Sequence, residues 1–308
     1  MNGSKAGQTR LRIQVPGRAC GLHETLSAAI LSLALFASGE AHSAATALLS
    51  RADTPLVVVR SVDALNAVAG HRLQAGDILD VPDGRYAQIE VADSCLLGLE
   101  GETRVLLKRV DAGRGGQIQL LLLKGWLRFQ PYSSTVNPNV LIETPTVRVT
   151  MNGGVALMHA GSDGFELFSE ASTPHLAPLD PAGRAGPELE MGREQLGSRL
   201  GGEGIKIKPR PDLAFIKSIP PEMRDSLVPL GGKLHGEPPK QPTVPVSYGL
   251  IEPWLTSSVP MRRGLAARFQ SRVHDGKFRG EIAAHISQLP EWYPILYPPP
   301  PPPPVKAP

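Results

Sequence analysis

Ser162 lies in "HAGSDGFELF", residues 159–168, and its neighbours Ala160-Gly161-Ser162-Asp163-Gly164 resemble the small-x-Ser-x-Gly turn that presents a hydrolase nucleophile. That turn works only between a strand and a helix, because the helix lets the sharp bend lift the hydroxyl above a parallel sheet. Here Phe165, Leu167 and Phe168 flank Glu166, which is a strand pattern. Asp and Gly both tolerate positive φ, so Asp163-Gly164 fits a hairpin turn with no further assumption. Ser162 reads as a turn residue.

The other reactive side chains form no constellation in the sequence. His71, His159, His175, His235, His274 and His285 occur at unrelated spacings, with no His-x-x-x-His pair for a metal. Asp77, Asp80, Asp83 and Asp93 are close in sequence, but "AGDILDVPDG" reads as turn, short strand, turn, which makes them solvated corners. Cys95 alternates with Leu97 and Leu99 as a small buried hydrophobe. Gly115-Gly116 and Gly153-Gly154 lack the lysine or the strand–helix context of a phosphate loop, and no cofactor is expected. Arg262, Arg263, Arg268, Arg272, Lys277 and Arg279 read as the wet face of amphipathic helices. Trp126 and Arg128 are the two candidate binding residues. They share a strand face with Gln130, opposite Leu127 and Phe129, and an outward aromatic beside an arginine can stack on a sugar or peptide. The bland alternative packs Trp126 beneath C-terminal helices that need an apolar landing site.

Elements that would position these residues follow from the hydropathy pattern. The chain has 308 residues, 41% of them hydrophobic, with 31 prolines and 32 glycines, so many turns are expected around a sizeable core. A net charge of +3, scattered along the chain, gives no nucleic-acid footprint. Residues 1–47 join a basic segment, the apolar run "LSAAILSLALFA" and a small-residue stretch, the three parts of a secretory signal. The run is too short for a membrane span, so no transmembrane segment is expected once the leader is removed. Residues 55–172 alternate with period two in short runs such as "RYAQIEV", "CLLGL", "RVLL", "QIQLLLL" and "GWLRF", separated by turn residues. The expected fold is mainly β, an antiparallel sandwich or solenoid. A Pro/Gly-rich linker is expected over 173–211, a helical segment over 212–292 with Asp212 in a first turn and caps at Ser258 and Asp275, and a proline-rich tail over 293–308.

The β-region resembles the FecR-type periplasmic domain. The resemblance rests on Gly76-Asp77-Ile78, Asp93-Ser94-Cys95, Gly125-Trp126-Leu127 and Ile142-Glu143-Thr144-Pro145, over about a third of the chain. Family members carry Arg-Gly-Thr where this chain has Asn152-Gly153-Gly154, and the Asp-Gly-Ser turn has lost its glycine. The resemblance implies an exported, periplasmic, non-enzymatic protein that binds a protein, peptide or cell-wall glycan of the envelope in signalling or scaffolding. Sigma-regulating members add a cytoplasmic domain and a membrane span, so a transmembrane sensor for an outer-membrane receptor is the second expectation. An envelope hydrolase is the third.

Overall fold

A computed structural model of the chain describes residues 47–111, 116–162, 164–236 and 238–299. The expected leader, Cys20, the end of the proline tail from 300 and Asp163 lie outside the described residues, while Ala47 already opens the first strand. The β-region therefore begins at Ala47 rather than Pro55.

Two long strands, β7 (Cys95–Val110) and β8 (Gln117–Pro131), form an antiparallel hairpin on which everything else is built. In sequence they read as four strands, and the turn-like "GETR" and "KG" between the apolar runs mark a bend instead. Glu100 pairs with Trp126 and Arg104 with Lys124, so residues 101–103 stand opposite Gly125 alone. Such a bulge bends the hairpin without breaking its ladder. Gly125 has φ +97°, and a Cβ there would lie 2.4 Å from the Thr103 Cα. Thr103 fills the bulge: its Oγ1 lies 2.5 Å from the Glu100 carbonyl and accepts the Trp126 N–H at 3.0 Å. The extra residues also reset the alternation. Ile118, Leu120 and Leu122 face inward before the bend, and Leu127 and Phe129 after it.

Each arm of the bent hairpin extends a leaf of sheet. One leaf runs outward from the Cys95–Glu100 arm of β7 through β6 (Tyr86–Val91), β1 (Ala47–Ala52) and β4 (Arg72–Leu73). On its other side β8 pairs with β11 (Ala156–Gly161), then β12 (Gly164–Phe168), β15 (Leu196–Leu200) and β16 (Lys206–Lys208). The second leaf runs from the other arm of β7 through β5 (Ile78–Asp80), β2 (Leu56–Arg60), β3 (Asp63–Ala67) and β17 (Thr243–Pro245). Beyond β8 it continues through β9 (Asn139–Glu143), β10 (Val147–Asn152), β13 (His175–Pro178) and β14 (Leu189–Glu190). Among the described residues the seventeen strands thus form one mixed sheet folded on itself, in which β8 and β9 pair in parallel. Side chains from both leaves, Leu97 and Phe129 with Val58, Leu107, Ile142 and Val149 among them, meet in one buried cluster. A sandwich with a single core is the result.

Both outer faces are partly covered by the C-terminal third. Residues 211–231 cross the first leaf as a strap containing α1 (Leu213–Ser218) and a 3₁₀ turn at Pro221–Met223. Phe215, Met223 and Leu227 press on Tyr86, Leu96, Trp126, Leu157 and Leu196. The second leaf receives a cap of short helices: α2 (Tyr248–Leu255), α3 (Val259–Arg262), α4 (Leu265–Phe269), α5 (Gly276–Ala284) and α6 (Tyr293–Leu296). Ile251, Trp254, Phe269, Phe278 and Trp292 bury Val59, Ile78, Leu106 and Leu121 of that leaf. Among the described residues no helix is long and apolar enough to cross a membrane.

Several expectations change. The presumed linker 173–211 carries β13 to β16: β13 and β15 pair with β10 and β12 outside the segment, and β14 and β16 pair back on β13 and β15. Between α1 and Tyr248 the described residues form only 3₁₀ turns at Pro221–Met223 and Gly231–Lys233 and the strand β17, so the helical segment proper starts at Tyr248. Asp212 and Asp275 cap α1 and α5, accepting the Phe215 amide and the Lys277 and Phe278 amides. Ser258 makes no cap, and its Oγ is buried without a partner. Gly264, at φ +82°, splits the helix expected over 260–273 into α3 and α4.

Candidate functional site

The strand Gly164–Phe168 follows Ser162, and Gly161 pairs with Gly164 across the hairpin. The nucleophile-elbow context, strand then helix, is not formed there. Cys95 is fully buried, and burial pushes its thiol well above the ordinary range. The histidines stay apart, and among the described residues no group of three His, Cys, Asp or Glu is placed to hold a metal.

Two sequence expectations hold only in part: Asp83, Asp93, Arg263, Lys277 and Arg279 are exposed as expected, but other members of the two sets turn to the protein itself. Asp77 is fully buried: Arg60 donates to its two oxygens at 2.9 and 2.6 Å, and the Gln74 amide adds a third bond. Asp80 pairs with Arg104 at 3.1 Å. The arginines of the helical cap likewise bind backbone. Arg268 donates to the carbonyls of Ser61, Gly76 and Val59, fastening α4 to the sheet. Arg272 donates to Val246 O, Arg262 to Gln288 O and Arg279 to Leu296 O. Apart from Val59, which lies within β2, these acceptors are carbonyls of turns, loops or helix ends.

Trp126 and Arg128 lie on the outer face of the first leaf, as their alternation implies, but neither is open to solvent. Trp126 stacks on His159 at 4.6 Å between ring centroids and meets Phe215 of α1 at 5.8 Å. Burial there lowers the His159 pKa, keeping the ring neutral at pH 7. Arg128 is 2% exposed and reaches Met223 O at 3.0 Å and Glu170 at 2.6 Å. The strap thus fills the place where an external ligand could stack on Trp126.

The open surface is elsewhere, on the part of the second leaf that the helices leave bare. Backbone pairing aligns Gln119 with Leu141, Leu141 with Thr150 and Thr150 with His175, one row across β8, β9, β10 and β13. Beside it runs Gln117, Asn139 and Asn152. At strand spacings of about 4.8 Å the longer row spans roughly 14 Å. These side chains line a depression of about 470 Å³. A second depression, about 500 Å³, adjoins it through Asn152 and Thr173 and is edged by Tyr132, Ser133, Asn137 and Arg193. The side chains of Gln119, Asn139, Thr150, Asn152, Thr173 and His175 make no hydrogen bond within the described residues. Tyr132 is 39% exposed. The groove therefore offers amide and hydroxyl groups of both polarities, an accessible aromatic ring and one cation.

None of these groove residues stands out in the sequence. Alternation in "QIQL" and "VRVTMN" puts Gln117, Gln119, Thr150 and Asn152 on polar strand faces, but their assembly depends on a parallel β8–β9 pairing that alternation does not encode. No protein-family model and no curated protein matches the chain.

Proposed function

We propose that the chain is a non-enzymatic, exported FecR-type binding module of the bacterial periplasm, and that its bare groove holds a cell-wall glycan strand. The observation that carries this is the adjoining pair of depressions lined by uncommitted amide and hydroxyl groups beside exposed Tyr132. Sugar hydroxyls both donate and accept, which suits Asn and Gln side chains that do the same. An aromatic ring can cover the apolar face of a pyranose, and Arg193 would meet an acidic substituent. The leader-like residues 1–47 and the Gly76-Asp77-Ile78 and Thr144-Pro145 motifs support the periplasmic and family parts of the reading.

Titration calorimetry with a β-1,4-linked N-acetylglucosamine tetramer as probe tests it. Saturable binding is expected, with Tyr132→Ala or Asn152→Ala weakening it about tenfold, roughly 1.4 kcal/mol. Both positions are exposed, so the fold survives the changes. No saturable binding at millimolar probe, or binding indifferent to both variants, would falsify the glycan reading.

A further inference from the structure

A second pocket lies on the opposite leaf, under the strap. It has a volume of about 580 Å³, in the range of small-molecule sites. Arg128, Leu157 and Phe168 are direct cross-strand neighbours and make its floor. Ile216 of α1, Ile219 and Met223 wall it, with Lys217 and Arg224 beside them. The lining is mostly apolar, yet it holds three cations against the single carboxylate of Glu170.

Arg128 is the unusual member. A guanidinium that is 2% exposed must satisfy its donors locally, and Met223 O and Glu170 take two of its five N–H groups. Its Nε has no hydrogen-bond partner. A buried cation with uncommitted donors, set among apolar walls and supported by two more cations, is complementary to an anion that carries an apolar tail. Ile216 is 46% exposed, an apolar side chain left beside the pocket rather than tucked into the core.

We infer that this pocket binds a single-chain amphiphilic carboxylate, its head drawn to Arg128, Lys217 and Arg224 and its chain lying on Leu157, Phe168, Ile216 and Ile219. A carboxylate accepts bidentate donation from a guanidinium, and the low-dielectric surroundings strengthen that pairing. Glu170 is exposed enough to swing aside or to share the guanidinium.

Decanoate, below its micelle-forming concentration, is the probe. Calorimetry or the displacement of an anionic fluorescent dye should give one saturable site, with 1-decanol binding at least tenfold more weakly. Ile216→Glu and Lys217→Glu, both at solvent-exposed positions of α1, should each weaken decanoate at least fivefold at unchanged Tm. Arg128→Lys should do the same, and because Arg128 also holds Met223 its effect is read only after circular dichroism shows a native spectrum. Equal affinity for decanoate and decanol, or full binding in Ile216→Glu and Lys217→Glu, would overturn the site. The glycan probe of the other leaf should not compete; competition would place decanoate in the groove and also overturn it.

Discussion

Gly125 shows how one residue decides the path of two strands. It stands alone opposite residues 101–103, and the space where its Cβ would go holds the Thr103 Cα and Oγ1, at 2.4 and 2.3 Å. Gly125→Ala must combine left-handed strain, about 1–2 kcal/mol, with overpacking against backbone, about 1–3 kcal/mol. Gly84, at φ +61° with nothing within 4 Å, carries only the first cost. Urea unfolding should therefore show a loss of about 3 kcal/mol or more for Gly125→Ala and about 1 kcal/mol for Gly84→Ala. Equal losses at the two positions would mean that the bend yields easily. The sequence carried this feature as a lone glycine between apolar runs, read as a turn between separate strands. Alternation alone does not separate a turn from a bulge, since both interrupt the period.

At the scale of elements, the strap is held by the apolar contacts of Phe215, Met223 and Leu227 and also by side chains gripping its backbone. Gln130 donates to Leu227 O and accepts the Leu227 N–H, both at 2.9 Å. Gln88 donates to Val228 O at 2.8 Å, and Glu90 accepts the amides of Leu230 and Gly231. In sequence Gln88 and Glu90 fall on the polar face of "RYAQIEV", the face expected to meet water, and every residue of β6 is instead buried. Segment 223–231 has no ladder partner of its own, so these side chains replace one. Gln130→Ala leaves a buried N–H and C=O unpaired, a cost of about 1–3 kcal/mol. Hydrogen exchange should show the amides of Leu227, Leu230 and Gly231 opening about ten- to a hundredfold more often, while β8 and β11 amides keep wild-type protection. Unchanged exchange at Leu227 would place the strap's stability in Phe215 and Met223 instead.

For the whole molecule, the sandwich and its helical cap lie in one compact unit, joined through Val59, Ile78, Leu106 and Leu121 and through Arg268. None of the cap helices is long enough to be stable alone in water. They must fold on the sheet. Phe269→Ala, at a fully buried position in that contact, should cost about 3–5 kcal/mol. Helix and strand signals should melt together in both wild type and variant, at a lower temperature in the variant. A separate early helical transition would make the cap an independent layer.

By itself the sequence determined the mainly β character, the inward faces of the strands, the buried Cys95, the cap at Asp275 and the hairpin around Ser162. All of these follow from local periodicity and from turn and cap chemistry, which neighbouring residues settle among themselves. Only the tertiary structure decided that four runs are one bent hairpin, that the presumed linker adds strands to both leaves, and that Trp126 and Arg128 lie beneath the strap. It also assembled the groove, because the row from Gln119 to His175 brings together strands up to 56 positions apart in the chain through a parallel pairing. A polar side chain looks alike in sequence whether it meets water, a passing backbone or a ligand, and only the chain folded over it distinguishes the three.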